Sequence, residues 1–241
     1  MRRSRIYQQQ KLIADSTLVL DSEGSHYLGR VLRLKPGDAV NLFNSNDGEF
    51  SATVERVDRH SVTVKLLEKQ ENFANPQLAV HLGLGLSRGE RFDYAIQKST
   101  ELGVSLITPV VTEFCEVRLG QDRLQKKSAH WQKVAISASE QCGRSSVPEI
   151  GEPMDLGEWL NRYPGGILLD GSGEPGFSTL SPSGTLILLI GPEGGFSDAE
   201  VLSAQQHRYR CVRLGPRVLR TETAPVVALT LLQYLFGDLQ S

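Results

Sequence analysis

The sequence lacks most of the features that tie a chain to a membrane, a metal or the outside of a cell. Only three of its 241 residues are cysteine, Cys115, Cys142 and Cys211. The number is odd, the spacing is wide, and there is no C-x-x-C pair and no zinc-ligand set. A disulfide framework is therefore excluded, and a reduced, cytoplasmic protein is expected. The three thiols read as small, buried apolar side chains. No apolar run exceeds that at 186–190, far short of the roughly 20 residues that span a bilayer. Basic residues at 2, 3 and 5 are followed by Gln8, Gln9, Gln10 and Lys11, where a secretion signal needs apolar residues, so no signal is expected. Excess charge is also missing. Lys plus Arg is 26 and Asp plus Glu is 28, a net charge of −2, which excludes a polycation. No Gly-Lys-Ser/Thr tripeptide occurs, so there is no phosphate-binding P-loop. His26, His60, His81, His130 and His207 show no ligand spacing, and no metal site is expected.

What remains is an ordinary globular composition, 39% hydrophobic and 22% charged, long enough for one large domain or two modest ones. Residues 1–70 read as short strands. Segments 17–20, 39–43, 50–57 and 62–66 are β-rich, and 50–57 alternates with period two. Asn44-Ser45-Asn46-Asp47-Gly48 and Asp58-Arg59-His60 supply turn chemistry. This pattern predicts a small antiparallel β-barrel. A polar linker ending at proline occupies 71–77. Beyond it, 78–241 alternates strand and helix. Strands are predicted at 78–86, 106–111, 166–170, 185–190 and 211–214, and helices at 91–102, 122–142 and 224–236. Phe92, Ala95, Ile96 and Thr100 share one helix face. Ser197-Asp198-Ala199-Glu200 is a capping box that opens one more helix. The fold class is therefore α/β, with a parallel sheet whose strands are buried on both sides.

In such sheets ligands bind beyond the carboxyl ends of strands. Three predicted strand ends carry glycine-rich loops: Asp170-Gly171-Ser172-Gly173, Gly191-Pro192-Glu193-Gly194-Gly195 and Leu214-Gly215-Pro216-Arg217. Each alone reads as a tight turn. Three on one sheet suggest a shared pocket whose glycines let a ligand approach backbone amides. Gly83-Leu84-Gly85-Leu86-Ser87-Arg88-Gly89 is a competing dinucleotide-type fingerprint, with Glu113 near the expected acid, although Arg88 stands where its third glycine belongs. Charge is unevenly spread. Between 201 and 221 there are five arginines and no acid, and between 1 and 35 seven basic residues face three acids. Basic segments of this kind suit RNA, whose phosphates supply affinity and whose bases stack on arginine. On these grounds a non-enzymatic RNA-binding module, which would leave the glycine loops unexplained, and a nicotinamide oxidoreductase using Gly83 and Gly85 both stay open.

Four blocks carry a resemblance. They are Glu90-Arg91-Phe92-Asp93-Tyr94-Ala95-Ile96-Gln97-Lys98-Ser99-Thr100-Glu101-Leu102-Gly103-Val104, Ser139-Glu140-Gln141-Cys142-Gly143-Arg144, Ile190-Gly191-Pro192-Glu193-Gly194-Gly195-Phe196, and Leu214-Gly215-Pro216-Arg217-Val218-Leu219-Arg220-Thr221-Glu222-Thr223-Ala224. In this order the chain resembles the bacterial 16S ribosomal RNA uridine-N3 methyltransferases of the SPOUT superfamily, over essentially its whole length. The resemblance implies an N-terminal PUA-like β-barrel and a C-terminal α/β domain tied in a trefoil knot. Knots are exceptions to chain-topology rules, so this one enters only through the resemblance. It further implies S-adenosylmethionine (SAM) as cofactor, a homodimer, and 16S rRNA or the small ribosomal subunit as partner. The residues carried over for the cofactor are Leu169, Gly171, Leu189, Ile190, Gly191, Glu193, Gly195, Leu214, Gly215, Leu219, Arg220, Thr221, Thr223 and Ala224. For catalysis of the implied reaction the candidates are Glu222, the nearest carboxylate in the last block, as base, with Arg220, Arg144, Arg217 and Arg5 as donors to steady a developing uracil anion. The basic residues expected to meet RNA are Arg2, Arg3, Arg5, Arg30, Arg33 and Arg217. The methyl group of a sulfonium is already activated, so the chemistry requires no metal.

Overall fold

The computed structural model describes residues 4–72, 74–116, 121–177 and 184–240. They form two compact units. The first ends at Asn75 and also takes in Ser139–Val147; the second comprises Pro76–Ala138 and Pro148–Ser241. The recruitment of 139–147 into the first unit is absent from the simple division at 1–70, 71–77 and 78–241.

In the first unit, β1 (Ser4–Tyr7), β2 (Thr17–Val19), β3 (Ala39–Asn44), β4 (Gly48–Val57) and β5 (Val62–Gln70) pair in the order β1-β3-β4-β5-β2. Period-two alternation puts Phe50, Ala52 and Val54 of β4 and Val62, Val64 and Leu66 of β5 into one core. The β3–β4 turn closes as its composition predicts: Asn44 Oδ1 accepts from the backbone N–H of Asn46 and Asp47, and Gly48 takes φ +89°. One expectation needs correction. The sheet is not wholly antiparallel, because β1 pairs with β3 in parallel. A parallel neighbour needs a long crossover rather than a hairpin, and the chain from β1 to β3 supplies it through β2, α1 (Ser22–His26) and a π-helical turn, Tyr27–Val31. Asp21 caps α1 by accepting from Gly24 N at 2.7 Å.

In the second unit, β6 (Val80–Gly85), β7 (Leu106–Val111), β8 (Glu149–Ile150), β9 (Met154–Asp155), β10 (Gly166–Pro175), β11 (Leu186–Ile190) and β12 (Tyr209–Arg213) alternate with α2 (Glu90–Glu101), α3 (Gln121–Cys142), α4 (Leu156–Arg162), α5 (Asp198–Gln206) and α6 (Ala224–Phe236). The sheet is parallel, ordered β12-β10-β11-β6-β7-β8, with β9 also on β7. The uninterrupted Leu-Ile-Leu-Leu-Ile of β11 lies between β10 and β6, where both faces are covered. Phe92, Ala95, Ile96 and Thr100 of α2 are buried, and α2 packs on α6. Ser197 and Glu200 form the reciprocal capping box that opens α5.

Gly83 and Gly85 lie inside β6, not in a turn after it. A Cβ on Gly83 would come within 2.7 Å of the Trp159 ring, and one on Gly85 within 2.3 Å of Pro192 N. These glycines serve close packing, and the dinucleotide fingerprint falls away.

His81 of β6 is buried, 2.8 Å from Thr108 Oγ1 and edge-on to Trp159 and Tyr163. Burial, with Arg162 nearby, pushes its imidazole from 6.5 down to about 4. Between those pH values the unfolded chain holds a proton that the folded protein refuses. Stability is therefore full above 6.5 and falls as pH drops towards 4, by about 3 kcal/mol for this group. Urea unfolding of the wild type and His81→Gln at pH 7 and 4.5 checks this. The variant should lose about 2–3 kcal/mol less on acidification, and equal losses would remove His81 as the cause.

Candidate active site

β12, β10 and β11 are neighbours in the sheet, and their carboxyl ends point the same way. The first of the three glycine loops is a bulge rather than a strand end. Leu169 and Glu174 of β10 both pair with Val212, so 170–173 is extruded from the ladder. Asp170 Oδ1 folds the bulge by accepting from Ser172 N at 2.8 Å and Ser172 Oγ at 2.5 Å. The second loop, after β11, turns at Gly195 with φ +69°, and the third, after β12, at Gly215 with φ +78°. The three together enclose one cavity of about 440 Å³, within the range of small-molecule sites.

Of the residues carried over for the cofactor, Leu169, Gly171, Ile190, Gly191, Glu193, Gly195, Leu214, Gly215, Leu219, Thr221 and Ala224 line this cavity. Leu189, Arg220 and Thr223 do not. The side chain of Leu189 is fully buried in the cluster that includes Trp159 and Leu168. Arg220 points to solvent, its side chain 79% exposed, and Thr223 is the N-cap position of α6. Glu222 is also outside the lining. Its carboxylate accepts from Thr221 Oγ1 at 3.3 Å and stands 4.0 Å from Arg220. Arg217 does line the cavity, and so do Asp170, Phe196, Val212, Arg213 and Val218. Asp170, Phe196 and Val218 lie in the loop and blocks already quoted; Val212 and Arg213 do not, and adjacency to a strand end is the signal that could have found them.

Two contacts shape the second loop. A Cβ on Gly191 would sit 3.1 Å from the Phe196 ring and 3.2 Å from Gly195 backbone, and one on Gly194 would sit 2.6 Å from Phe114. From the start of α2, Arg91 Nη1 donates to Glu193 Oε1 at 3.3 Å.

The family model for an RNA methyltransferase domain matches residues 74–233, and that for an RNA methyltransferase PUA domain matches residues 20–67. The chain is 36% identical to ribosomal RNA small subunit methyltransferase E of Buchnera aphidicola subsp. Schizaphis graminum, over 98% of this chain and 97% of that one. The chain belongs to this RNA methyltransferase family. The family member from Bacillus subtilis is 28% identical over 94% of this chain and 93% of its own. The crystal structure of the Neisseria gonorrhoeae member, bound to S-adenosyl methionine, aligns with a TM-score of 0.93 and 32% identity, covering 99% of this chain and 100% of that one. A Legionella pneumophila protein solved with the cofactor SAM aligns with a TM-score of 0.94 and 37% identity, at the same coverage.

The remaining site candidates lie in the first unit. Arg2 and Arg3 are outside the described residues. Arg30 and Arg33 are exposed on and just after the π-helical turn, and Arg33 is held at φ +54°. Arg5 is different. Its guanidinium is buried, paired with Glu49 at 2.8 Å, and lies 4.3 Å from the centre of the Phe43 ring. It also donates to the backbone carbonyls of Ser139, Glu140 and Arg144 at 2.7–3.1 Å. Arg5 thus satisfies the carbonyls that the end of α3 leaves open, and its donors are spent inside the protein rather than offered to RNA. Tyr7 N donates to Glu140 Oε1 at 3.0 Å. Burial holds the Glu140 carboxyl above its ordinary value, with the Tyr7 N–H and Arg5 opposing it. Burial would also raise Glu49, but Arg5, Asn41 and Asn72 outweigh it and hold that carboxyl low. Arg144 is buried, with Nε and Nη2 donating to Ser146 Oγ at 3.3 and 3.2 Å. The Ser139–Arg144 block of the family therefore belongs to the first unit, with Ser139 and Arg144 buried, and neither Arg5 nor Arg144 lines the cavity.

Proposed function

We propose that this protein methylates N3 of a uridine in 16S ribosomal RNA, using SAM as methyl donor. The observation that carries the reading is the meeting of the β10 bulge and the loops after β11 and β12 in one cavity, in a chain whose Neisseria relative, similar over 99% of it, was solved bound to S-adenosyl methionine. The cavity's chemistry fits the cofactor. Leu169, Ile190, Leu214 and Leu219 offer an apolar wall for the adenine, and the glycine loops expose backbone amides for its polar edge. The space beside Gly191 is tight, with the Phe196 ring 3.1 Å and the Gly195 backbone 3.2 Å from where a Cβ would sit. SAM supplies an activated methyl group. The protein's part is to hold the uridine in line with it, which is worth up to about 7–11 kcal/mol, and to take away the N3 proton. In this reading Arg217, on the cavity lining, steadies the anion that develops on the ring, with Arg220 of the same loop a second candidate. Glu222 is the proton acceptor of the reading, oriented by Thr221.

N3 lies on the Watson–Crick edge, so the target is single-stranded or extruded. Arg30 and Arg33 meet RNA phosphates. Replacing both by alanine should weaken rRNA binding at every sequence and flatten its dependence on salt by about one charge each. An unchanged slope in filter binding would dismiss them. The apolar side chains of Leu231, Tyr234 and Leu235 are exposed on α6 and support a homodimer. A SPOUT-type trefoil knot is supported by the sequence of the loops at 191–196 and 214–224, which share the cavity. No helix among the described residues is long and apolar enough to cross a membrane, in keeping with a cytoplasmic enzyme. Calorimetry with SAM and mass spectrometry of rRNA from cells lacking the protein test the whole. Binding and loss of 3-methyluridine are expected; 3-methyluridine that persists unchanged overturns the assignment.

A further inference from the structure

We infer that Val218 is a wedge that enters the base stack of the rRNA beside the target uridine and keeps that nucleotide extruded. The inference rests on the methyltransferase reading and deepens it by naming the residue that makes N3 accessible. Val218 lines the cavity, yet it is 100% exposed in the single chain. The next most exposed large hydrophobic among the described residues is Leu202, at 58%. The side chain is presented on a braced loop. Gly215 turns the chain at φ +78°, Thr221 is buried, and the N–H groups of Thr223 and Ala224 both donate to Arg220 O at 2.9 Å. A β-branched side chain also has few rotamers to lose on insertion.

Charge selects the occupant. Arg213, Arg217 and Arg220 are exposed on the same stretch of chain as Val218, and no acid occurs between 201 and 221, Glu222 being the first, 4.0 Å from Arg220. An apolar tip flanked in sequence by arginines matches a nucleic acid, with the tip between bases and the guanidiniums on phosphates. The apolar face of α6 makes the contrast: 224–236 has no charged residue at all, as suits contact with a second copy. Extruding a base leaves a gap in the stack, and an apolar side chain that fills it lowers the cost.

The test compares wild type, Val218→Gly and Val218→Ile with labelled SAM and small ribosomal subunits. Val218→Gly should lower kcat/KM by about tenfold or more, the cost of unassisted unstacking, and Val218→Ile should restore it. Calorimetry gives the SAM affinity of each variant, so that turnover is compared at saturating SAM. In an rRNA fragment carrying 2-aminopurine beside the target, the fluorescence rise on binding should be present for wild type and lost for Val218→Gly. Full turnover and an unaltered fluorescence rise in Val218→Gly would overturn the wedge. A sedimentation shift from dimer to monomer in Val218→Gly would overturn it too, by assigning Val218 to a contact between copies. A wild type that neither binds SAM nor methylates would fail the activity itself, and the wedge with it, whereas a defect confined to Val218→Gly supports both.

Discussion

Arg5→Ala should lower the free energy of unfolding by about 3–5 kcal/mol, the usual cost of stranding one partner of a buried ion pair. Glu49 would keep its two amide donors, Asn41 at 2.7 Å and Asn72 at 2.9 Å, but lose both guanidinium bonds. Three backbone carbonyls at 139, 140 and 144 would lose a donor in the same step. Replacing both charges at once, as Arg5→Met with Glu49→Leu, should recover much of the loss, because neither charge is then left bare. Urea unfolding of the single and double variants measures this. A single-variant loss under about 1 kcal/mol would mean that the pair behaves as a surface one. Acid should act in the same sense. A carboxyl held low in the folded state stabilises above its unfolded value of 4.5, and that contribution is lost as pH falls through the folded value.

Gly85→Ala should damage the cavity from beneath. The added methyl would meet Pro192 N at 2.3 Å and Gly191 C at 2.6 Å. Both are backbone atoms, so no side chain can rotate away. Either β6 or the loop at 191–195 must move, at a cost of about 1–3 kcal/mol. Because Gly191 and Pro192 line the cavity, SAM affinity should fall by at least about tenfold, since displacements near 1 Å can cost more than that in a positioned site. Gly171→Ala is the control for strain: no atom lies within 4 Å of its Cβ and its φ is unremarkable, so its stability should change by under about 0.5 kcal/mol. Calorimetric titration and thermal unfolding read both effects. Wild-type affinity in Gly85→Ala would show that this packing does not hold the loop.

Local signals were legible where local physics decides. The Leu186–Ile190 run, the Ser197–Glu200 capping box and the period-two face of β4 all form as their residues dictate, because burial, capping and alternation act over a few neighbours. The shared cavity was legible for the same reason, since adjacent parallel strands bring their carboxyl ends together. What escaped depends on distant partners. β1 reads as a basic stretch until β3 stands beside it, and Arg5 reads as a phosphate contact until Glu49 and the end of α3 close over it. Gly83 and Gly85 imitate a nucleotide fingerprint because the sequence does not reveal that Trp159 and Pro192 press on them. The bulge at 170–173 reads as a strand end because its second pairing with Val212 is invisible without β12.

The return of 139–147 to the first unit sets a timetable for biosynthesis. The amino-terminal sheet emerges early from the ribosome, but the carbonyls that occupy Arg5 and the carboxylate that meets Tyr7 N–H are translated only with the end of α3 and the residues just after it. Until residue 147 has cleared the exit tunnel, the Arg5 guanidinium stays open to water where these carbonyls later cover it, so the final locking of the sheet waits on more than half of the polypeptide.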